Sequence, residues 1–255
     1  MNPVPGDTWQ TYDIYVRDIA DPNPANNTTK RITVGLGNTK ADGSSSTPIL
    51  SPDGRYVWFS SSASNLVAGD TNGQSDLFVH DRQTDVTSRL DITAATGLAL
   101  DGGVFLGDVS PNRRWVTFSS NATTIVPGDT NGQYDAFRLD TQNSTVTRVS
   151  PSGPNQATAG SFARSVSDDG RFVFFESAAG NVVAGDTNNR NDVFVTDITK
   201  GTIRRVSVGI AGEERNGPST GMVASADGKT IAYAFQAVGS GTFEIWRANL
   251  QLAVP

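Results

Sequence analysis

Apolar residues occur at nearly every position of three short segments of the chain. These segments are residues 56–59 (Tyr-Val-Trp-Phe), 115–118 (Trp-Val-Thr-Phe) and 172–175 (Phe-Val-Phe-Phe). A strand with one face in water would instead alternate apolar and polar residues. The continuous pattern therefore predicts strands that are covered on both faces, as when small sheets stack face to face.

A turn motif precedes each of these strands and occurs a fourth time near the end of the chain. Its first copy is Ser-Pro-Asp-Gly-Arg at residues 51–55, and the copies are about 58 residues apart. Proline presets φ, aspartate bonds its own backbone and glycine accepts positive φ, so the motif predicts a tight turn. The other copies begin at Ser110, Ser167 and Ser225.

Each repeat predicts four antiparallel strands. In the first complete repeat, strand a is predicted at about 47–51, strand b at 55–60, strand c at 76–81 and strand d at 86–92. A long Gly-Asp-Thr-Asn loop joins strands b and c, and a short hairpin joins c and d. Small antiparallel sheets repeated along a chain, with inner strands covered on both faces, predict an all-β fold, a β-propeller of four-stranded blades.

The repeat boundaries predict one propeller domain over residues 1–255. It consists of a partial blade at 1–37, blades at 38–95, 96–152 and 153–209, and a last blade at 210–255. Residues 6–15 and 30–32 align with the second half of a repeat, so the chain is expected to begin inside one. About four to five blades result, and three forms of closure stay open: a small ring, an excerpt of a larger ring, or completion by another copy.

These motifs resemble the TolB-type propeller repeat, a bacterial relative of WD-type blades. The matching features are Ser-Pro-Asp-Gly-Arg before an apolar strand and Asp-Leu-Phe-Val-His-Asp at residues 76–81, and the resemblance covers nearly the whole chain. The longer form at residues 65–73 (Asn-Leu-Val-Ala-Gly-Asp-Thr-Asn-Gly) looks like a subset found in large bacterial exported proteins. The resemblance implies a propeller and often protein or polymer binding, but no single reaction.

Composition and charge narrow the function classes. The formal net charge is −6, and an acidic surface repels phosphate backbones, so nucleic acid is not an expected partner. No apolar run approaches the roughly 18–20 residues of a membrane span. The chain contains no cysteine, which excludes disulfides, thiolate metal sites and cysteine nucleophiles.

The Gly-Asp-Thr-Asn loop carries the best candidate for site chemistry. Oxygen side chains stand at positions 1, 3 and 7 of each copy, and alternating oxygen ligands suit calcium. A bidentate glutamate is absent, so the pattern is not an EF-hand. Asp and Asn also order turns by bonding nearby amides, which is the competing interpretation. The candidate metal residues are Asp70, Asn72, Asp76, Asp129, Asn131, Asp135, Asp186, Asn188 and Asp192.

Other chemistry-bearing residues favour structural roles. His80 is the only histidine and is expected at the surface, and no Gly-x-Ser-x-Gly elbow accompanies it, so no catalytic residue is predicted. Glu176 follows an apolar strand and is expected at the surface as well. The recurring arginines of strand d predict either a ring of anion contacts or bridges to the aspartates at the c–d turns, and their repetition in every blade favours the bridges. The arginines are Arg31, Arg89, Arg148 and Arg205, and the aspartates are Asp18, Asp81, Asp140 and Asp197.

The sequence therefore predicts a noncatalytic propeller scaffold that binds protein or polysaccharide, either by itself or as a module of a larger exported protein or assembly. Calcium is its one candidate cofactor, and self-association through an unpaired edge strand is one candidate assembly. The expected location is secreted, cell-surface or periplasmic. The alternative is a carbohydrate-active enzyme, or the accessory domain of a hydrolase or lyase, marked by polar residues found in one blade only. The irregular segments 96–106, 151–163 and 209–220 are where such residues are expected.

Overall fold

The computed structural model describes residues 11–19, 23, 27–90, 92–93 and 100–250. These residues form strands and loops with two short 3-10 helices, Leu36–Asn38 and Gly153–Asn155. No helix in this part of the chain has the length and apolar character needed to cross a membrane. The predicted repeat block at residues 6–10 lies outside the described residues. The chain divides into two compact units, residues 1–90 and 91–255.

In the described part of the first unit, the strands form one four-stranded sheet and two strand pairs. The pairs join β1 (Tyr15–Arg17) with β2 (Thr29–Arg31), and β3 (Val34–Gly35) with β4 (Thr39–Lys40). The sheet runs in chain order through β5 (Ser45–Leu50), β6 (Tyr56–Ser61), β7 (Asp76–Asp81) and β8 (Val86–Arg89), with all neighbours antiparallel.

Among its described residues, the second unit contains two four-stranded sheets and one sheet of three strands. The first comprises β9 (Val104–Val109), β10 (Trp115–Ser120), β11 (Asp135–Asp140) and β12 (Thr145–Arg148). The second comprises β13 (Ser161–Val166), β14 (Phe172–Ser177), β15 (Asp192–Asp197) and β16 (Thr202–Arg205). The last comprises β17 (Ser219–Ala224), β18 (Thr230–Phe235) and β19 (Glu244–Asn249). The four-strand repeat is thus confirmed, with strand ends that differ from the predicted ones by up to three residues.

The a–b turn has the same hydrogen bonds in all four sheets. In the first sheet the Ser51 hydroxyl donates to Asp53 at 2.5 Å, and the Tyr56 amide donates to the Ser51 hydroxyl at 2.8 Å. Ser225 and Asp227 form the same bond at 2.7 Å in the last sheet. The fourth turn position has positive φ in every copy, even where Arg113 (φ 66°) replaces glycine. The serine and the acidic or amide residue therefore close the turn, and glycine only eases it.

The middle strands of the second unit are covered on both faces, as their composition predicts. Val173 and Phe175 of β14 pack in one cluster with Trp115 of β10. Phe172 and Phe174, on the opposite face of β14, pack in another cluster, whose further members Ile231, Tyr233 and Phe235 lie on β18. Each such side chain contributes roughly 1.5–3 kcal/mol on full burial. Stacked apolar sheets therefore form the core of this unit.

Candidate functional site

The b–c loop of each complete sheet folds back onto the arginine of strand d. We call residues 69–76 with Arg89, 128–135 with Arg148, and 185–192 with Arg205 the acid–arginine loops. In the second of them, an Nη of Arg148 lies 2.6 Å from Asp129 and 3.5 Å from Asp135. All three of these side chains are at most 6% exposed. The guanidinium thus neutralises two buried carboxylates, which would otherwise be costly to bury.

The same arrangement occurs in the first and third loops. Arg89 lies 3.1 Å from Asp70 and 3.8 Å from Asp76. Arg205 lies 3.3 Å from Asp186 and 3.5 Å from Asp192. Burial raises the pKa of the carboxyl at position 7 in all three loops, with neighbouring hydrogen bonds and the arginine acting in the opposite direction.

The asparagine at position 3 organises the backbone of the loop. The side-chain oxygen of Asn72 accepts the Gln74 amide at 3.0 Å, and Asn131 accepts the Gln133 amide at 3.0 Å. Asn188 does the same for Arg190 at 2.7 Å. These are Asx turns, the chemistry of the competing interpretation of the loop.

The structure brings together the predicted ligand residues of each loop, but it also places a guanidinium against their carboxylates. The nine predicted residues form three separate groups, one in each loop. A cation would therefore compete with the arginine for the same oxygens, and calcium binding stays a prediction. Sequence reasoning gave the arginines other partners and so missed their place in these groups.

The predicted bridges from the strand d arginines to the c–d turn aspartates are wrong. Asp81 instead pairs with Arg55 at 2.6 Å, because the b–c register places Tyr56 opposite Asp81. Asp140 pairs with Arg114 at 2.8 Å and Asp197 with Arg171 at 2.7 Å. Asp18 pairs with Arg82 at 2.8 Å. The strand d arginines are at the other end of strand c, where Phe78 lies opposite Arg89.

The predicted surface positions of His80 and Glu176 are also wrong. His80 is 3% exposed, and its Nδ1 lies 3.0 Å from the Thr87 hydroxyl, because its side chain points into a covered face of β7. Glu176 is 1% exposed and bridges the last two sheets. It accepts hydrogen bonds from the Met222 amide at 3.3 Å, the Thr220 hydroxyl at 3.1 Å and Arg164 at 3.0 Å.

The third acid–arginine loop differs from the second in one neighbouring residue, which is the charged Glu214 in place of the neutral Gln156. Glu214 lies 2.6 Å from Arg205 and accepts the Thr187 amide at 2.7 Å. In the second loop the Thr130 amide donates at 3.2 Å to Gln156, a neutral residue. Asp186, Asp192 and Glu214 each place an oxygen within 4.8 Å of the others. Burial and Asp192 raise the pKa of Asp186 to about 6, while Thr187 and Arg205 lower the pKa of Glu214 to about 2.

Two clefts lie beside the second and third loops. The first, of about 360 Å³, has a neutral polar lining that includes Asn131, Pro154 and Gln156. The second, of about 400 Å³, is lined by charged, aromatic and aliphatic side chains. Its polar residues lie in segment 209–220, where the sequence predicts polar residues that occur in one blade only. No site was predicted at Trp246. The second lining comprises Gly209, Ile210, Glu213, Glu214, Arg215, Asn216, Phe235 and Trp246.

Arg215 packs against two aromatic rings in the second cleft. Its guanidinium carbon lies 3.6 Å from the Trp246 ring centroid and 4.4 Å from that of Phe235. Its Nε donates to the Val208 carbonyl at 3.1 Å, and the residue is 8% exposed. Ile210, in contrast, is 93% exposed at the rim. A fixed aromatic–guanidinium stack beside an exposed apolar residue provides a surface suited to binding.

No family model matches the sequence, and no curated protein matches it either. Among solved structures, TolB from Acinetobacter baumannii is similar with a TM-score of 0.51 and 18% identity over 87% of this chain and 43% of that one. A putative TolB from Agrobacterium tumefaciens is similar with a TM-score of 0.52 and 14% identity, over 88% of this chain and 66% of that one. A structure from a study of two prolyl endopeptidases is similar with a TM-score of 0.55 and 14% identity, over 94% of this chain and 29% of that one.

These similarities show the fold. The chain has a TolB-like β-propeller fold, which confirms the all-β fold class and the resemblance of the turn motifs. The chain spans less than half of one TolB structure and about two thirds of the other. At such low identity the similarity carries no activity, substrate or partner from those proteins to this one.

Proposed function

We propose that this chain is a noncatalytic β-propeller scaffold that binds protein or polysaccharide, in an exported bacterial protein that is secreted, at the cell surface or periplasmic. The observation that carries the proposal is the engagement of its recurring charged groups with each other. Arginine neutralises the loop carboxylates, and the single histidine is buried against Thr87. These charged residues thereby stabilise the long loop and the outer strand within each blade, which supports a structural role for them.

The second cleft is where the scaffold has the features of a binding site. A feature that stabilises the fold is expected in every blade, whereas a binding site usually contains residues that occur in one blade only. Glu213, Glu214 and Arg215 form a charged run that the corresponding neutral segment around Gln156 lacks. Trp246 and the exposed Ile210 add apolar contact area beside these charges. This combination suits a partner with both apolar and polar groups.

A binding screen of the full chain tests the proposal. The chain is applied to glycan arrays and to displayed peptide and protein libraries, and each captured ligand is tested again with Ile210→Asp. The matched control is Gln156→Ala in the neutral cleft. We expect binding that falls at least tenfold in Ile210→Asp and is unchanged in Gln156→Ala. Arrays and libraries that return no specific ligand would overturn the scaffold proposal.

One observation favours the alternative, a carbohydrate-active enzyme or an accessory domain of a hydrolase or lyase. The pKa values of Asp186 and Glu214 are displaced in opposite directions, to about 6 and about 2, and separated pKa values are typical of acid–base pairs. Glu214, however, is bonded to Arg205 and Thr187. Turnover of a polysaccharide panel that is lost in Asp186→Asn would support the enzyme and overturn the noncatalytic proposal.

A further inference from the structure

The connection between strands b and c is shorter in the last sheet than in the four-stranded sheets. In the third sheet it spans residues 178–191, between β14 and β15. In the last sheet it spans residues 236–243, between Phe235 of β18 and Glu244 of β19, which pair with each other as the ends of β14 and β15 do. The second cleft lies beside this shorter connection, since Phe235 is part of its lining.

In the first and third sheets the longer connection packs an apolar side chain against the segment that precedes strand a. Val182 is 8% exposed and belongs to one cluster with Ala157 of that segment. Leu66, at the corresponding position of the first sheet, is 3% exposed and belongs to one cluster with Ala41. A branched apolar residue of the b–c connection therefore covers the segment before strand a in both sheets.

An asparagine just before this apolar residue binds the same segment through two hydrogen bonds. The side-chain amide of Asn181 donates to the Gln156 carbonyl at 2.8 Å, and its side-chain oxygen accepts the Thr158 amide at 3.0 Å. Asn65 of the first sheet makes the same two bonds with the corresponding carbonyl and amide, at 2.6 and 3.2 Å. The contact therefore consists of one asparagine followed by one branched apolar residue.

The last sheet has the groups that receive this contact but not the residues that fill it. Its segment before strand a, residues 214–216, corresponds to residues 156–158 of the third sheet. The Glu214 carbonyl and the Asn216 amide are thus the counterparts of the groups that bind Asn181, and both residues line the second cleft. Residues 236–243 contain no asparagine, and Val238 among them is 58% exposed.

The backbone of the segment is held in the same way in both sheets. Asn131 donates to the Ala157 carbonyl at 3.2 Å, and Asn188 donates to the Arg215 carbonyl at 2.9 Å. The carbonyl and the amide on either side of this position are therefore fixed in the last sheet without the longer connection. The second cleft is the space that the asparagine and its apolar neighbour occupy elsewhere in this chain.

We propose that the second cleft docks a segment of a partner protein that carries an asparagine followed by a branched apolar residue. The proposal rests on the proposed function, because it names the partner class of that cleft. The incoming asparagine donates to the Glu214 carbonyl and accepts the Asn216 amide, and the apolar side chain packs beside Trp246. An apolar anchor in a pocket with matched hydrogen bonds at its edge is a common basis of protein recognition.

The lining of the cleft favours this occupant over a polysaccharide or a further part of the same chain. A polysaccharide offers mainly hydroxyl groups, whereas the carbonyl and the amide of this segment bind one carboxamide side chain in two other sheets. In the four-stranded sheets the chain that follows strand c forms strand d at the outer edge of the sheet, which is a different position. Ile210, 93% exposed at the rim, adds apolar area for a branched side chain.

Peptide binding to the full chain tests the proposal. The probe is a capped, fluorescently labelled peptide of residues 179–184 (Ala-Gly-Asn-Val-Val-Ala). We expect saturable binding by fluorescence anisotropy, and slowed hydrogen exchange of the Asn216 amide. A peptide with Asn181→Asp should bind at least tenfold more weakly, since a carboxylate cannot donate to the Glu214 carbonyl. A peptide with Val182→Ser, which lacks the apolar anchor, should also lose at least tenfold.

Two chain variants complete the test. Ile210→Asp places a charge at the apolar rim and should weaken peptide binding at least tenfold. Asn216→Pro removes the amide that the peptide asparagine accepts and should weaken binding as much, and circular dichroism verifies its folding. The control is Ile245→Asp, the same substitution at an isoleucine that is 78% exposed and outside the cleft lining, which should bind normally. Absence of saturable binding, or equal binding by the parent chain and Ile210→Asp, would overturn the proposal.

The outcomes also separate this proposal from the proposed function. Library ligands that lose affinity in Ile210→Asp, together with no peptide binding, would overturn the asparagine–apolar motif and retain the scaffold. Absence of both kinds of binding would overturn both. Peptide binding that is lost in Ile210→Asp, with protein ligands from the library that the peptide displaces, would support both.

Discussion

The complete sheets and the last sheet share the same turn but differ in the charged residues that join strands b and c. Arg114 and Asp140 form a bidentate pair across the second sheet, at 3.1 and 2.8 Å. At the corresponding positions the last sheet has Lys229 and Asn249, and its b–c connection contains no Asp-Thr-Asn motif. It nevertheless forms strands a, b and c with the same Ser–Asp turn. Strands a, b and c of the last sheet therefore form without the Arg–Asp pair and without an acid–arginine loop.

The largest expected effect comes from removing the arginine of one acid–arginine loop. Arg148→Met leaves Asp129 and Asp135 buried without their cation, which should lower the free energy of unfolding by about 3–5 kcal/mol. Urea unfolding monitored by tryptophan fluorescence measures the change. The control is Lys229→Met in the last sheet, where the ion pair is exposed and should contribute less than about 1 kcal/mol. Equal losses in both variants would contradict the distinction between the two kinds of sheet.

A smaller effect is expected at the contact between the last two sheets. Glu176→Ser introduces the residue type of Ser119, which accepts the Ala163 amide at 2.8 Å in the preceding sheet. The shorter side chain would lose the bonds from Arg164 and Thr220, so we expect a loss of about 1–3 kcal/mol. Chemical denaturation measures it. A stable variant with unchanged unfolding would show that the carboxylate does not hold β17 against β14.

Calcium should have less effect than either substitution in the parent chain. The arginine already neutralises each acidic pair, so we expect calcium to raise the melting temperature by less than about 1 °C relative to chelator. Arg148→Met frees Asp129 and Asp135 for a cation, and its melting temperature should rise with calcium. A large calcium-induced rise in the parent chain would instead support the nine predicted ligands. No calcium response in either protein would remove the metal hypothesis.

The sequence was sufficient for the repeat and for the elements within it. The turn at residues 51–55 and the apolar strand after it are local signals, and local signals determine a strand and its neighbours. The partner of Arg148 was not predictable in this way. Asp129 and Asp140 are both near it in sequence, and the choice between them depends on how the loop folds back over strand c.

The second cleft shows the same limit. Segment 209–220 could be singled out because it breaks the repeat, and Glu214 belongs to it. Trp246 lies far beyond this segment in the chain, at a position where the repeat predicts an ordinary core aromatic. Only packing reveals that Arg215 stacks against it. Long-range side-chain contacts of this kind leave no spacing signal in a single sequence.

The smallest expected effect is at a strand c position that differs in all four sheets. The residue is His80 in the first, Leu139 and Thr196 in the next two, and Ala248 in the last. Burial lowers the pKa of His80, with Asp85 acting in the opposite direction and Lys30 adding to the lowering. Folding therefore favours the neutral imidazole. Its contribution to stability is complete above the unfolded pKa of about 6.5 and is lost as the pH falls through and below that value.

His80→Thr introduces the residue of the third sheet and removes this titration. We expect the melting temperature of the parent chain to fall more steeply than that of the variant between pH 7 and pH 5, with little difference above pH 7. Leu139→Thr, in a sheet without a histidine, is the control and should keep the parent slope. Parallel pH profiles for the parent and His80→Thr would mean that burial does not favour the neutral imidazole, because Asp85, 3.3 Å from its Nε2, stabilises the protonated form to the same extent.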